Sequence, residues 1–569
     1  MKTLFRLPDK IGWRDQVIGL ALAAVYVTWL LTTARSVGFP RDEGFYFRAA
    51  TSYAGWFQLF FEHPSEAMKR QAVDSMWGYN HEHPALMKSL FSLSWMYLHE
   101  KWKVFTDAST AMRFPAMVMA GIACWVTYLF GARAYSRRAG LIAATLFALM
   151  PRVFFHAHLA SFDVPITAMW TLCIYVYWRA QQRGGLLFPV LAGLVYGLTL
   201  ETKHNAWILP AVFLPHALFD ACRALLPKSR TPMRFPWSLF SMAIIGPAVL
   251  YALWPWMWFD TKLRLEEWAN FHLRHEYYNM EFLGRNYFGP PSPRSYMPLM
   301  IVATVPAITL FLFFIGSFER LRYLVRRLSA WVSRLLDKSD VAFDSIVRGA
   351  IEAERHEVDL LFALAFCAAV APWLRSSTPI FGGTKHWMPA YPFLALFAGR
   401  GFDYVATAME RALAERAVVV RRVAQAALAA AIVAAPLAIT IHSHPFGLET
   451  YVPLVGGTPG AADLGLNRQF WGYTTQNAAE WLAANAPPNA TIFIHDTAWD
   501  SWNQMQQEHR VRSDLRAVGS PGDAQIALIQ HELHMAEVEY QVWVAFGTQS
   551  PAYVITDDGV PIVSIYKRP

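Results

Sequence analysis

The sequence predicts a polytopic α-helical membrane protein with a small α/β domain at its carboxyl end. Hydrophobic residues make up 55% of the 569 residues and charged residues only 16%, whereas soluble globular chains carry nearer a quarter of charged residues. Apolar segments long enough to cross a bilayer recur up to about residue 441, after which short strand-like runs take over. The net charge of +8 is spread over the ends of apolar segments, so we expect a lipid bilayer and no nucleic acid as partner.

Eleven apolar segments are predicted to span the membrane, at residues 16–34, 113–132, 140–158, 164–179, 187–202, 206–220, 237–256, 297–316, 358–374, 388–402 and 424–441. The first resembles a signal peptide, but we interpret it as an uncleaved helix. Lysine and arginine are concentrated in the N-terminus and in every second loop, which predicts a cytoplasmic N-terminus. The short run 83–97 fits an amphipathic helix in the membrane interface, because counting it as a span would reverse every later loop.

This topology divides the chain into a transmembrane domain, residues 1–441, and an external domain, residues 442–569. The first external loop covers about residues 35–112, and a charged helical insertion at about 317–357 is expected in the cytoplasm. In the external domain, Thr491–His495 and Val542–Phe546 are predicted as strands and Asp523–Val538 as a helix. A closing hairpin is expected from Val554 to Tyr566.

Polar side chains from distant parts of the sequence are predicted at the same, external, membrane face. They are Asp42, Glu43, His81, His83, Lys88, Asp163, Lys203, Lys385 and His386. Carboxylates can take up a proton and lysines can hold a phosphate, so this face suits a membrane-bound substrate that carries phosphate.

Each group also has a simpler interpretation. Asp42 and Glu43 could form a solvated turn, and Asp163 could serve only as a helix cap. Lys203 could reach toward the headgroups, and Lys385 could anchor the next span at the interface. His81 and His83 lack the helical spacing typical of a metal-binding pair, so structural or substrate contacts are expected of them.

Seven short motifs follow one another along the chain. They are Arg41-Asp-Glu43, His83-Pro84 with Lys88, Arg113-Phe-Pro115, Arg138-Ala-Gly140, Asp163-Val-Pro165, Gly197 to Lys203, and Lys385 to Pro389. Over about residues 10–440 this ordered set resembles the GT-C superfamily of membrane glycosyltransferases. The resemblance is to dolichyl-phosphate-mannose protein mannosyltransferases and to lipid A aminoarabinose transferases.

The resemblance implies that a sugar linked to a polyprenyl or dolichyl phosphate is transferred, with inversion, to a hydroxyl of a protein, lipid or glycan outside the membrane. It implies a general base at Asp42, a neighbouring acid at Glu43 that orients the acceptor, and a second-loop carboxylate at Asp163. Lys88, Lys203, Lys385 and His386 would then bind the phosphate, and His81 and His83 would contact substrate. A divalent cation is possible, with Asp42 and Asp163 as its ligands.

The chain also departs from the family pattern. The run from His83 to Lys88 lacks a second proline and a glycine, and the carboxyl-terminal part does not resemble a β-trefoil, so the sugar and the acceptor stay open. We expect a bacterial inner membrane protein with a periplasmic external domain. The alternative is a transporter or flippase of lipid-linked sugars, which would be expected to show an internal repeat; no clear repeat is seen.

Overall fold

The computed structural model describes residues 11–225, 235–335, 358–380 and 382–569. Up to residue 442 the fold is a helical bundle, with helices α1 (Trp13–Thr33), α2 (Arg41–Glu62), α3 (Pro64–Ala67), α4 (Arg70–Trp77), α5 (Leu86–Ser94), α6 (Ala108–Ala134), α7 (Arg137–Ala148), α8 (Pro151–Ala157), α9 (Asp163–Gln182), α10 (Leu187–Leu200), α11 (Pro210–Ala224), α12 (Trp237–Leu253), α13 (Thr261–Leu273), α14 (Tyr296–Thr304), α15 (Ala307–Leu335), α16 (Val358–Val370), α17 (Tyr391–Ala412) and α18 (Val418–His442).

Each of the eleven predicted apolar segments overlaps a helix, but fewer helices satisfy a strict test for a membrane span. Three helices are long and apolar enough to cross a membrane, at Trp13–Ser36, Ala108–Ala134 and Val418–His442. Two bent pairs, α7 with α8 and the first part of α15 with α14, raise the number to five if each pair is one span. The count of eleven stays a prediction.

The outer helices have the surface that a lipid environment requires. Only 22% of the most apolar window of the first helix is buried, and only 17% of that of α18, whereas 72% of the window of α6 is buried. Apolar helix faces this large are unfavourable in water, so the chain is an integral membrane protein in which α6 lies inside the bundle.

A proline residue stands at each of the two bends between paired helices. Pro151 begins α8 after a bend of 70°, and Pro306 precedes α15 after a bend of 115°. Proline has no N–H to continue the preceding helix, so the chain turns at these points. After the bend before α8, His156 lies 3.5 Å from the carboxylate of Asp163, one of the predicted site residues.

The opposite end of the bundle holds a network of ion pairs. Arg138 of α7 contacts Glu410 at 2.8 Å and Asp403 at 2.5 Å, and Asp15 of α1 pairs with Arg137 at 2.7 Å. These arginines belong to the basic loop that predicts the cytoplasmic side, an orientation that stays a prediction. The charged insertion predicted at 317–357 begins within α15, and its residues 336–357 lie outside the described residues.

The carboxyl-terminal part contains helices α19 (Gly457–Asp463), α20 (Ala479–Asn485), α21 (Trp499–Gln507) and α22 (Ala536–Phe546). A short antiparallel pair, β1 (Met280–Phe282) and β2 (Arg285–Tyr287), lies earlier, in the loop before α14. The terminal sheet contains β3 (Thr491–Ile494), β4 (Arg516–Val518), β5 (Ile526–Gln530), β6 (Tyr553–Asp557) and β7 (Val560–Lys567).

The terminal sheet has the strand order β4-β3-β5-β7-β6 and is mixed. Its first three strands are parallel, and β7 is antiparallel to both of its neighbours. The predicted first strand and the closing hairpin are confirmed. The predicted strand Val542–Phe546 is wrong, because these residues end α22, and the predicted helix Asp523–Val538 is wrong, because it contains β5.

This α/β domain is docked on the start of α2. A Cβ atom at Gly44 would lie 2.6 Å from Oγ of Ser501 in α21, so only glycine permits the contact. The Ser501 hydroxyl donates to the carbonyl of Pro40 (3.1 Å), and the amide of Ser109 donates to the Glu508 carboxylate (2.7 Å). The domain therefore covers the end of the bundle where α2 and α6 begin.

Candidate functional site

Asp42 lies in the first turn of α2, which begins directly after Pro40. An acidic residue is favourable there because the helix N-terminus carries partial positive charge. Its side chain keeps 27% of its surface exposed, and its Oδ2 lies 3.7 Å from Nζ of Lys385. Asp42 is thus a carboxylate on a helix, not in a solvated turn, with an open face and the ammonium group of Lys385 beside it.

The neighbouring Glu43 is in a different environment. Its side chain is 1% exposed and forms a double contact with Arg113 of α6, Nε to Oε1 at 2.7 Å and Nη2 to Oε2 at 2.6 Å. Oε1 also accepts a hydrogen bond from the amide of Ala160 (2.7 Å). Glu43 therefore joins α2, α6 and the turn before α9, and both of its oxygens are occupied.

A second acid and lysine pair comes from α9 and from the segment after α10. Nζ of Lys203 lies 2.7 Å from Oδ1 of Asp163, and both side chains are almost completely buried. His156 of α8 places Nδ1 at 3.5 Å from the other oxygen of Asp163. Asp163 is the first residue of α9, after the N-cap Phe162, and its two carboxylate oxygens face Lys203 and His156.

Lys385 lies between the two acids, in the short helical turn Gly383–His386. Burial lowers the pKa of Lys385, while the nearby carboxylates Asp42 and Asp163 act in the opposite direction. The indole ring of Trp471 covers the ammonium group, with Nζ 4.0 Å from the ring centroid. Lys385 is therefore a desolvated cation that pairs with Asp42, lies against an aromatic face and is influenced by the charge of Asp163.

Lys88 is also buried, but its ammonium group donates hydrogen bonds to backbone carbonyls of the preceding loop. Nζ donates to the carbonyls of Asn80 and His83, the latter at 2.8 Å. Burial lowers the pKa of Lys88 to about 7, and Glu82 and Glu201 oppose this effect. The lysine thus fixes the turn that carries His81 and His83.

The predicted histidines are placed by aromatic stacking. His81 stacks on Trp256 with ring centroids 4.4 Å apart, and His386 lies 4.4 Å from the ring of Trp373. His83 lies 5.2 Å from the ring of Phe162, the residue before Asp163. His83 thus lies against the residue before Asp163, and His386 directly follows Lys385 in the chain.

The sequence did not predict that the terminal domain reaches these residues. The backbone carbonyl of Trp471 accepts from the amide of Arg41 (2.9 Å), and the Arg41 side chain pairs with Asp496 at 3.0 Å. Trp471 has a φ of +79°, which is unusual for a bulky residue. No spacing in the sequence indicates the contact of Trp471 with Lys385.

Asp496 adds a titrating carboxyl beside this arginine. Burial raises the pKa of Asp496 to about 6, with Arg41 opposing and Asp42 reinforcing the shift. Burial also raises the pKa of Glu532, which lies next to Asp496. The terminal domain therefore brings two carboxyl groups that resist ionisation to the edge of the site.

The described residues offer no group of three or more His, Cys, Asp and Glu side chains placed to hold a metal ion. The two acids proposed as ligands, Asp42 and Asp163, each have a lysine as their cation. Because a lysine ammonium group already faces each carboxylate, this pair of acids does not fit a divalent cation.

These residues define an acid and lysine site at one end of a membrane helix bundle, under an α/β domain. Residues 95–259 match the sequence profile of the family described as dolichyl-phosphate-mannose-protein mannosyltransferase. The predicted resemblance to GT-C glycosyltransferases is confirmed over this part of the chain. No curated protein matches the chain in sequence.

Solved structures of two membrane glycosyltransferases are similar to the whole fold at low sequence identity. ArnT from Cupriavidus metallidurans, bound to undecaprenyl phosphate, is 15% identical over 96% of this chain and 97% of its own, with a TM-score of 0.43. The oligosaccharyltransferase AglB from Archaeoglobus fulgidus, in complex with an inhibitory peptide and a dolichol-phosphate, is 12% identical over 94% of this chain and 71% of its own, with a TM-score of 0.48.

Proposed function

We propose that this protein transfers a sugar from a polyprenyl-phosphate or dolichyl-phosphate donor to an acceptor hydroxyl on the external face of the membrane. The observation that carries the proposal is the pair of acid and lysine contacts, Asp42 with Lys385 and Asp163 with Lys203, at one end of the bundle. Glycosyl transfer from a lipid phosphate needs a base for the incoming hydroxyl and cations for the leaving phosphate. Both are present, and they come from four distant segments.

Asp42 is the base in this proposal. Its carboxylate accepts the proton of the acceptor hydroxyl while the acceptor oxygen forms a bond to the anomeric carbon. The bond from that carbon to the phosphate oxygen breaks, with inversion, and its electron pair leaves with the lipid phosphate. The products are the glycosylated acceptor, the lipid phosphate and a protonated Asp42, so atoms and charge balance.

Lys385 and Lys203 compensate the charge of the phosphate. Lys385 is also the present partner of Asp42, at 3.7 Å. A phosphate that attracts this ammonium group draws it away from Asp42, so donor binding leaves the carboxylate free to meet the acceptor hydroxyl. Asp163 orients Lys203 through the 2.7 Å contact, and it is a positioning residue.

The remaining predicted residues are assigned less direct roles. Glu43 fixes the first turn of α2 through Arg113, and Lys88 fixes the turn that carries His81 and His83. His83 and His386 are proposed to contact the donor near its phosphate. The acceptor is a protein or a glycolipid, and the protein is proposed to lie in a bacterial inner membrane with a cytoplasmic N-terminus and a periplasmic terminal domain.

The decisive experiment compares Asp42→Asn with Asp463→Asn in proteoliposomes supplied with a polyprenyl-phosphate-linked sugar. Asp463 is an exposed acid of the terminal domain and serves as the matched control. Loss of a general base is expected to lower transfer by about 10²-fold to 10⁴-fold, while the control keeps the wild-type rate. Wild-type transfer by Asp42→Asn contradicts the assignment. Movement of intact donor across the bilayer without any glycosylated product would instead support a flippase.

A further inference from the structure

A narrow cavity with both polar and apolar lining lies beside Lys385, where the bundle meets the loop before α14 and the terminal domain. Its lining includes Arg152, Asn279, Tyr296, Gly382, Tyr451 and Asn467. A Cβ atom at Gly382 would lie 2.4 Å from Cε of Lys385, so a bare glycine separates the cavity from the proposed phosphate site. The empty space is about 430 Å³ with its solvent-open part included, of which about 30 Å³ admits the centre of a water molecule. Its deep part suits a substituent, not a whole sugar ring.

Arg152 is the feature of this cavity that the proposed transfer does not use. Its side chain is 6% exposed, and its Nε has no hydrogen-bond partner among the described residues. Nη2 reaches the carbonyl of Thr450 only at 3.5 Å, and the guanidinium lies 5.0 Å from the ring centroid of Tyr451. No carboxylate of the described chain forms an ion pair with Arg152, which is unusual for a buried cation.

The acids nearest to Arg152 do not replace the missing counter-ion. Burial raises the pKa of Glu449 to about 8, and its Oε2 is bound by the hydroxyl of Tyr473. Burial also raises the pKa of Glu281, whose Oε2 accepts from the amide of Leu533 at 2.8 Å. Neither acid forms an ion pair with Arg152 among the described residues, and burial disfavours the charged form of both, so the guanidinium can take an anionic group of a ligand.

Two further buried atoms of the cavity lining lack a hydrogen-bond partner within the described chain, and both are acceptors that require a donor. Oδ1 of Asn279 and Oδ1 of Asn467 are buried acceptors without a donor. The amide of Asn279 is oriented by its own Nδ2, which contacts His534 at 2.8 Å, so its oxygen is the group left to bind. An anion alone would satisfy Arg152 but not these acceptors, whereas a hydroxylated acid supplies both an anionic group and hydroxyl donors.

We propose that the cavity binds the carboxylate of an acidic sugar against Arg152, with neighbouring hydroxyls donating to Asn279 and Asn467. The inference rests on the proposed function, because it takes Lys385 as the phosphate side of the donor. It makes the transferred sugar a uronic acid, and it disfavours an amino sugar, whose ammonium group would meet the guanidinium.

The test measures thermal unfolding of the purified full-length protein in nanodiscs with glucuronate, glucose, glucosamine or inorganic phosphate as probe. Glucuronate is expected to raise the melting temperature, and glucose and glucosamine are not. Phosphate can bind at Lys385 and Lys203, so any shift that it causes is expected to be the same in the wild type and in Arg152→Gln. Arg152→Gln is expected to weaken glucuronate binding by at least about tenfold, since a charge-assisted contact is lost. Arg468→Gln, which changes an arginine outside the cavity lining, is expected to keep the response.

Asn467→Asp provides a second variant in case Arg152→Gln does not fold. A carboxylate built into the cavity gives Arg152 its counter-ion, so this variant is expected to melt at a higher temperature and to lose its response to glucuronate. An equal shift with glucose, an unchanged glucuronate response in Arg152→Gln, or a destabilised Asn467→Asp protein that still binds glucuronate would each overturn the proposal. A phosphate shift that depends on Arg152 would overturn it as well, by making the cavity part of the donor phosphate site.

Different results would contradict the proposed transferase activity and the proposed binding of an acidic sugar. Glucuronate binding does not need the base, so Asp42→Asn protein is expected to show the wild-type shift. Binding that persists where no donor supports transfer would contradict the transferase and support the cavity assignment. Efficient transfer of a neutral sugar, in a protein that does not bind glucuronate, would support the transferase and contradict the cavity assignment.

Discussion

Replacing Glu43 by glutamine tests whether this acid acts in chemistry or in folding. The substitution keeps the shape of the side chain but leaves the guanidinium of Arg113, which is 0% exposed, without its counter-ion. Removing one partner of a buried ion pair costs about 3–5 kcal/mol, even though Arg113 would keep its contacts with the carbonyls of Ala34, Val37 and Gly38. We therefore expect Glu43→Gln to lose stability in this range.

The measurement is the free energy of unfolding in mixed detergent micelles, with transfer assayed at a temperature where the variant stays folded. A double variant, Glu43→Gln with Arg113→Met, removes both charges and is expected to lose less than the two single variants together. Arg70→Gln is the control, because Arg70 is 56% exposed and its pairs with Asp74 and Asp260 lie at the surface, where ion pairs contribute little to stability.

The refuting results are specific. A loss of less than about 1 kcal/mol in Glu43→Gln, or additive losses in the double variant, would show that the contact is not a coupled buried pair. A folded Glu43→Gln protein that loses transfer as severely as Asp42→Asn would show a direct role in the reaction. The structure predicts instead a moderate loss of transfer, because Glu43 acts through the position of α2.

Three further predictions concern neighbouring contacts. Asp163→Asn and Lys203→Met are each expected to destabilise the protein and to raise the KM for donor, and their double variant should show strongly non-additive free energies, measured by a double-mutant cycle. Trp471→Phe should keep most transfer and Trp471→Ala should lose more, measured as kcat and KM for donor, because phenylalanine keeps an aromatic face over the ammonium group. The raised pKa of Asp496, about 6 in the folded state against 3.8 in the unfolded state, means that the folded protein keeps a proton that the unfolded chain releases between pH 4 and 6. Stability should therefore fall as the pH rises through that range, by no more than about 3 kcal/mol, and Asp496→Asn should flatten that part of a pH series of unfolding free energies.

The helical positions could be predicted from the sequence because long apolar runs have few alternatives in a membrane chain. The short runs of the terminal domain could not, since Val542–Phe546 is apolar enough for a strand and yet ends a helix, while Ile526–Gln530 lies in a segment predicted as helical. At this length, periodicity does not separate a buried strand from a buried helix turn.

The candidate site, too, could be predicted only in part from the sequence. The charges of the loops predict that Asp42, Asp163, Lys203 and Lys385 lie at one membrane face, because the orientation of each span follows from local composition. They could not decide which acid meets which lysine, nor that Trp471 would cover Lys385. Such contacts depend on how distant segments pack, and that information is not carried by local spacing.

The contact between Asp42 and Lys385 also predicts the order of binding. The ammonium group of Lys385 lies 3.7 Å from Oδ2 of Asp42 and so faces the carboxylate that is to accept the proton of the acceptor hydroxyl. A lipid phosphate competes for the same ammonium group, so the base becomes effective only after the donor has bound. Steady-state kinetics should therefore show donor binding before acceptor, with the released lipid phosphate competing with donor in product inhibition. Lys385→Gln removes this coupling, and it should raise the KM for donor and allow either substrate to bind first. An ordered mechanism that persists unchanged in Lys385→Gln would mean that the order is set elsewhere, and that the pairing of Asp42 with Lys385 does not control the base.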